Sequence, residues 1–140
     1  SVGVIEDLNC TKCGNDGIDL SNTTLKLTQY TSSNTGDKSI SVGENSILEA
    51  KGINIDNTKI GVAVKDGSIA NLKNLNISSS EYPIAVYIKK QDFGLGNINI
   101  KNLILKNNLN PLILEEGSIF NFDNNYPIQI KKNVFTKIYP

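Results

Sequence analysis

The chain has 140 residues, enough for one domain, and its 39% hydrophobic residues suffice to fill one narrow core. Fourteen basic residues balance fourteen acidic ones, with the lysines scattered among Asn, Asp and Glu, so the sequence gives no basic stripe of the kind nucleic acid or an anionic membrane surface calls for. No apolar run reaches transmembrane length, no signal-peptide pattern opens the chain, and there is no Met, not even at position 1.

In chain order, Ile5, Leu8 and Cys10 come first, with a three-then-two spacing that returns at Ala50, Ile53, Ile55, at Leu72, Leu75, Ile77 and at Ile100, Leu103, Leu105. Next comes the doublet Ile18/Leu20, whose members lie two apart and so share one face of a strand. The doublet recurs at Ile40/Val42, Val62/Val64 and Ile84/Val86, each 22 residues on, and then at Leu112/Leu114 after a step of 28. A third mark is the Ser-Ile pair opening the near-copies NSILEA, GSIANL and GSIFNF at 46, 68 and 118. One coil therefore carries a six-residue insertion, placed between Tyr87 and Gly96. Residues 23–35 fit worst: Thr28, Thr31 and Ser33 stand where other coils are apolar. Either Leu27 and Tyr30 enter the core through a one-residue bulge, or polar side chains line it there.

A period of 22 with strands that each cover the previous coil predicts an all-β solenoid. First strands fall at 17–21, 39–43, 61–65, 83–87 and 111–115, followed by a second and a third stretch, with Gly14, Gly36, Asn57 and Asn107 supplying positive φ at corners. Three strands per coil make a right-handed parallel β-helix, and no hexapeptide frame favours the left-handed form. About five to six coils at about 4.8 Å each give a rod roughly 25–30 Å long. The chain reads as a single domain, 1–140, that begins mid-coil, which predicts the C-terminal part of a longer protein docking on upstream coils or on another chain. Residues 127–140, with Val134, Phe135, Ile138 and Tyr139, are predicted to fold over the last coil as a cap.

The segments GNDGIDLS, TGDKSISVGENS and TKIGVAVKDGS resemble the repeats of bacterial right-handed parallel β-helix proteins of the pectate-lyase-like superfamily. The likeness is strongest to repeat regions attached to larger surface or polysaccharide-related proteins, and it covers nearly the whole chain. It implies the fold, and a bacterial, extracellular or cell-surface setting. It carries no enzyme family's catalytic motif onto a numbered position, because the superfamily spans lyases, hydrolases, epimerases, adhesins and inert stalks.

Between the paired core residues the first strands present Asp19, Ser41, Ala63, Ala85 and Ile113 outward. Polysaccharide enzymes that this chain resembles gather carboxylates with Lys, Arg or His on that sheet, whereas here its middle is small and apolar. The nearest catalytic candidates are Asp16, Asp19 and Asp37 at one end, with Lys38 and Lys65 nearby. Asp16 and Asp37 read equally as turn residues bonding their own backbone. Ala63, Ala85 and Ile113 form a flat stripe on which another chain, a domain or a sugar ring can pack, rimmed by Tyr82, Tyr87 and, on the insertion, Phe93. Cys10 and Cys13 make a CxxC that lacks the further Cys or His that zinc needs, so Cys10 is predicted as a buried free thiol and Cys13 as a turn residue. Calcium at Asn15, Asp16 and Asp19 has one glycine- and aspartate-rich segment behind it, GNDGIDLS, which occurs once. We expect no cofactor and no metal. The reading is a non-catalytic structural or interaction module, contacting the parent protein, another chain or a polysaccharide. Its alternative is the C-terminal portion of a carbohydrate-active β-helix enzyme.

Overall fold

The computed structural model describes residues 1–123 and 125–140. Its elements are β1 (Val2–Thr11), β2 (Ile18–Ser21), β3 (Thr24–Ser33), β4 (Lys38–Gly43), β5 (Ile47–Lys65), β6 (Ile69–Tyr87), a 3₁₀ turn (Gln91–Phe93), β7 (Asn97–Lys106), β8 (Leu112–Glu115), β9 (Ile119–Phe122), β10 (Ile128–Lys131) and α1 (Val134–Ile138). Among the described residues no helix is long and apolar enough to cross a membrane.

All the strand pairings are parallel, and they stack the chain into a β-solenoid. One run of six rungs follows the order β1, β3, β5, β6, β7, β9. A first side of each coil is built by β2, β4, the last part of β5, the last part of β6, β8 and β10. The 22-residue register holds: Ile18 pairs with Ile40, Ile40 with Val62 and Val62 with Ile84, while Ala85 pairs with Ile113 across the step of 28. Leu75 lies between Ile53 and Leu103 and is fully buried in the interior cluster that runs the length of the solenoid.

Corners are made by backbone in the left-handed region. Asp7, Gln29, Gly52, Asn74 and Asn102 mark one corner of successive coils, and Lys12, Asn34, Asn57, Ser79 and Asn107 mark another. Asparagine suits these positions because its short amide tolerates positive φ. The amides also stack, Asn102 donating to Asn74 at 2.7 Å and Asn57 to Asn34 at 2.6 Å. The recurring serine of the Ser-Ile pairs has a similar task. Ser46 Oγ accepts from Thr23 N at 3.1 Å, and Ser68 Oγ from Ser46 N at 3.2 Å, so each buried hydroxyl takes up a corner amide of the preceding coil.

The poorly matching coil resolves through both expected routes. Leu27 pairs with Ala50 and Tyr30 with Ile53, a step of one residue more than the repeat, and the extra residue lies in the corner where Glu44 and Asn45 are both left-handed. Thr28 and Thr31 consequently turn outward. Ser32 stays inside opposite Ile55, bonded to Thr35 Oγ1 at 2.8 Å and Ser39 Oγ at 3.1 Å, while Tyr30 donates to Ser39 O at 3.0 Å. The polar inclusion is thus satisfied within the core.

The expected cap at 127–140 divides in two. Ile128–Lys131 forms the last rung against β8. The helix α1 does not fold over the end. It lies on the outer face of the first side, where Val134 and Ile138 are buried in a second cluster with Ile60, Ala63, Ala85, Tyr87 and Ile113. Glu115 fixes its start by accepting from Asn133 N at 2.8 Å and Val134 N at 3.1 Å. On the last coil Phe120 and Phe122 stack on each other at 5.6 Å, with Ile119, Phe120 and Ile130 exposed.

Candidate functional site: the two outer faces

The outward row of the first side is Asp19, Ser41, Ala63, Ala85, Ile113 and Gln129. Its middle was expected to be open. Instead Ser41, Ala63 and Ala85 are 0% exposed, and α1 packs on Ala63, Ala85 and Ile113. Small side chains make this docking close: a flat row of alanines lets the short helix insert Val134 and Ile138 against the sheet. Tyr87, expected on the rim, is buried in the same cluster, 5.8 Å from the Phe135 ring, and Tyr82 packs at its edge.

Phe93 belongs elsewhere. The insertion is held at a corner, where Asp66 Oδ1 accepts from Lys89 N at 2.8 Å and Lys90 N at 2.7 Å and Gly67 N donates to Gly94 O at 3.1 Å. The Phe93 carbonyl lies against Gly67, whose positive φ and missing Cβ allow the approach.

Of the three candidate carboxylates, two converge. Lys38 Nζ lies 3.5 Å from Asp16 Oδ1 and 2.7 Å from Asp37 Oδ2. Tyr139 closes the group from the tail, donating to Asp37 Oδ1 at 2.6 Å, with its ring 4.6 Å from Lys59 Nζ and 5.5 Å from Lys38 Nζ. Asp19 stays apart, exposed at the end of the row. Burial pushes the Asp37 carboxyl up, but the hydrogen bonds from Lys38 and Tyr139 and the charges of Lys38 and Lys59 outweigh it and hold Asp37 below its ordinary value. Burial lowers Lys38 and its bond to Asp37 with the surrounding negative charges raises it, leaving it above its ordinary value. Burial raises Tyr139, and the bond and charge of Asp37 raise it further; Tyr87 is raised chiefly by burial. A carboxylate held ionised, with each oxygen bonded to its own donor, is poorly placed as a general acid or as a free base. Asp16 and Asp37 bracket a lysine instead of facing each other across room for a substrate.

Beside this cluster lies a cavity of 220 Å³ lined by Asp37, Lys38, Lys65, Tyr87, Lys89, Phe135 and Tyr139. Burial and the neighbouring charges of Lys38 and Lys89 lower Lys65, against the opposing pull of Asp19 and Asp66. Its stem lies across Gly43, where a Cβ would meet Lys65 Cε at 2.7 Å. The space is smaller than the roughly 300–1,000 Å³ of sites that enclose a ligand.

Cys10 and Cys13 are joined in a disulfide, and no described cysteine is free. The free-thiol expectation fails because Lys12 is left-handed, which turns the chain after β1 and leaves the two Cα atoms 5.9 Å apart, within disulfide reach. Among the described residues no three His, Cys, Asp or Glu gather as metal ligands; Asp16, weighed for calcium, is taken up by Lys38.

The outer face of the second run of strands was not singled out in the sequence, and it is the more open of the two. Lys51 pairs with Lys73 and Lys73 with Lys101, so three lysines stand in one row. In the neighbouring row Lys26, Glu49, Asn71 and Asn99 follow one another. A groove of 560 Å³ runs between the rows. The signal was present: 51 to 73 is 22 residues and 73 to 101 is 28, the repeat's own steps. Lysines scattered along the chain become a ladder once it is wound.

Compared with protein-family models, with curated proteins and with solved structures, the chain matches none at a significant level.

Proposed function

We propose that the chain is a non-catalytic structural and interaction module of a bacterial surface-associated or polysaccharide-related protein, in keeping with its resemblance to pectate-lyase-like β-helix repeats. The observation that carries this reading is the closure of the first side's outer face. Where an enzyme of this architecture needs an accessible row of charged residues, Ala63, Ala85 and Ile113 lie beneath the chain's own Val134 and Ile138. Beside the end of that row Asp16 and Asp37 are paired with Lys38, and Asp37 also accepts from Tyr139. With its stripe covered, the module offers other surfaces for association.

The alternative, a portion of a carbohydrate-active enzyme, has one observation in its favour. Lys65, lowered by burial and by Lys38 and Lys89, borders a cavity, and a lysine shifted in that direction suits proton abstraction. Incubation with acidic and neutral polysaccharides, followed for unsaturated and reducing ends, separates the two. We expect no turnover. Product release that Asp19→Asn or Lys65→Ala abolishes would replace the module with the enzyme.

A further inference from the structure

On the outer face of the second run of strands, Lys26, Lys51, Lys73 and Lys101 are exposed, and among the described residues no ion pair engages any of their side chains. In-register strands place the backbones of Lys51, Lys73 and Lys101 about 4.8 Å apart, and like charges carried directly opposite one another repel. Neutral residues are compatible with the same row, as Thr28 opposite Lys51 shows. The charges of the row therefore oppose folding slightly. By contrast, Lys38 on the first side is wrapped by Asp16, Asp37 and Tyr139.

The groove beside the ladder has polar and charged walls over a floor of Leu27, Ala50 and Leu72, which suits a chain of sugar rings with polar edges and apolar faces. Asn99 donates to Asn71 at 2.9 Å along its other wall, and the Thr28 hydroxyl adds a further polar group. Glu49 is the sole acid lining it, against the four lysines. No aromatic side chain lines the groove, so unpaired bases would find no stacking platform. The chain contains no arginine, the residue best suited to bidentate phosphate contacts.

We propose that this face binds a linear polycarboxylate, a polysaccharide of acidic sugar units, lying along the solenoid axis with its carboxylates against Lys51, Lys73 and Lys101 and its hydroxyls against Asn71, Asn99 and Thr28. The proposal rests on the reading of a polysaccharide-associated module and names the surface and polymer charge that such a module uses. Binding is electrostatic and weakens with salt.

The test is affinity electrophoresis of the full chain through gels containing polygalacturonate, with dextran and oligo-dT as comparison polymers. The triple variant Lys51→Gln/Lys73→Gln/Lys101→Gln is run beside Lys12→Gln/Lys106→Gln/Lys131→Gln, which has the same change in charge at exposed sites elsewhere. Far-UV circular dichroism and thermal unfolding establish that both variants fold. We expect polygalacturonate to retard the parent chain and dextran not to, with the ladder variant weakened by roughly tenfold or more and the control variant near the parent. The proposal is overturned by absence of retardation, by equal losses in the two variants, by retention of binding in the ladder variant, or by tighter binding of oligo-dT than of polygalacturonate. Product release assayed in the same mixtures addresses the non-catalytic reading separately. Turnover with a ladder-dependent retardation would end that reading and keep the ladder, whereas neither turnover nor retardation would end the ladder alone.

Discussion

On the first side of the solenoid, Lys38 is enclosed by Asp16, Asp37 and Tyr139 at the edge of a face that the tail covers. On the second, Lys51, Lys73 and Lys101 stand in line, and among the described residues no ion pair engages their side chains. Both arrangements come from one geometric device: winding at a fixed period stacks whatever recurs, whether alanine, asparagine or lysine. The difference lies in side-chain size and charge. Alanines at 63 and 85 leave a surface that an apolar helix can approach, so the chain's own Val134 and Ile138 settle there. Long charged side chains at 51, 73 and 101 keep the other face wet and open to a charged partner. Stacking alone thus does not distinguish the two rows; what covers or compensates each one does.

The largest expected effect strikes both faces at once. Leu75→Asp places a charge in the packed interior between Ile53 and Leu103, at a cost of about 4 kcal/mol or more. Urea denaturation should lose its cooperative transition. A native-like transition for this variant would contradict the shared core.

A smaller effect, confined to the first side, is expected from Ala85→Lys. The new side chain points out of the solenoid into the cluster under α1, and displacing the helix should cost about 2–3 kcal/mol. Hydrogen exchange should show residues 134–139 losing protection while β5 and β6 keep theirs. Protection of the tail unchanged from the parent would break the contrast between a closed and an open face.

Tyr139→Phe removes the phenol that bonds Asp37, which should lower stability by about 1 kcal/mol. The same contact sets the pH range of the docked tail. Asp37 is held below its ordinary value, so its contribution is complete above the usual carboxylate range, near pH 4, and is lost only as pH falls through the lowered value. Tyr139 is raised, so its contribution is complete below the usual phenol value of about 10 and is lost as pH rises above it. Tail protection measured against pH should therefore form a plateau across the neutral range with losses at both extremes, and Tyr139→Phe should blunt both shoulders.

The smallest effect has the opposite sign. Replacing Lys51, Lys73 and Lys101 by Gln relieves repulsion and should raise stability by a few tenths of a kcal/mol per residue. A loss of stability would mean that the ladder is held by contacts that favour folding.

Much of the fold was legible in the sequence because its apolar doublets and Ser-Ile pairs repeat at one interval, and parallel stacking converts that interval directly into register. The tail was legible only as apolar. Val134 and Ile138 are four apart, a helical spacing that serves a coil end or a sheet face equally well, and the choice depended on Ala63 and Ala85 admitting a helix and on Glu115 holding its first amides. Asp16, Asp19 and Asp37 cluster in the sequence reading, whereas only Asp16 and Asp37 meet Lys38, and Tyr139, about a hundred residues away, takes up an oxygen of Asp37 that catalysis would need free. Phe93 escaped because an insertion has no register; its position is set by the buried Asp66. The disulfide depended on one left-handed residue, Lys12, which residue type alone does not announce. The ladder at 51, 73 and 101 was fully encoded in the repeat and emerges when lysines are counted by rung instead of along the chain.

The central claim, that one outer face is closed by the chain's own tail while the other is open, is tested most directly by labelling a single introduced thiol. Cys10 and Cys13 are bonded to each other and leave no free background. Ala85→Cys and Lys73→Cys, each made alone in the full chain, are exposed to a bulky maleimide under native conditions. The account predicts fast labelling for Lys73→Cys and labelling slower by roughly a hundredfold for Ala85→Cys, limited by release of α1. Equal rates at the two positions would contradict it.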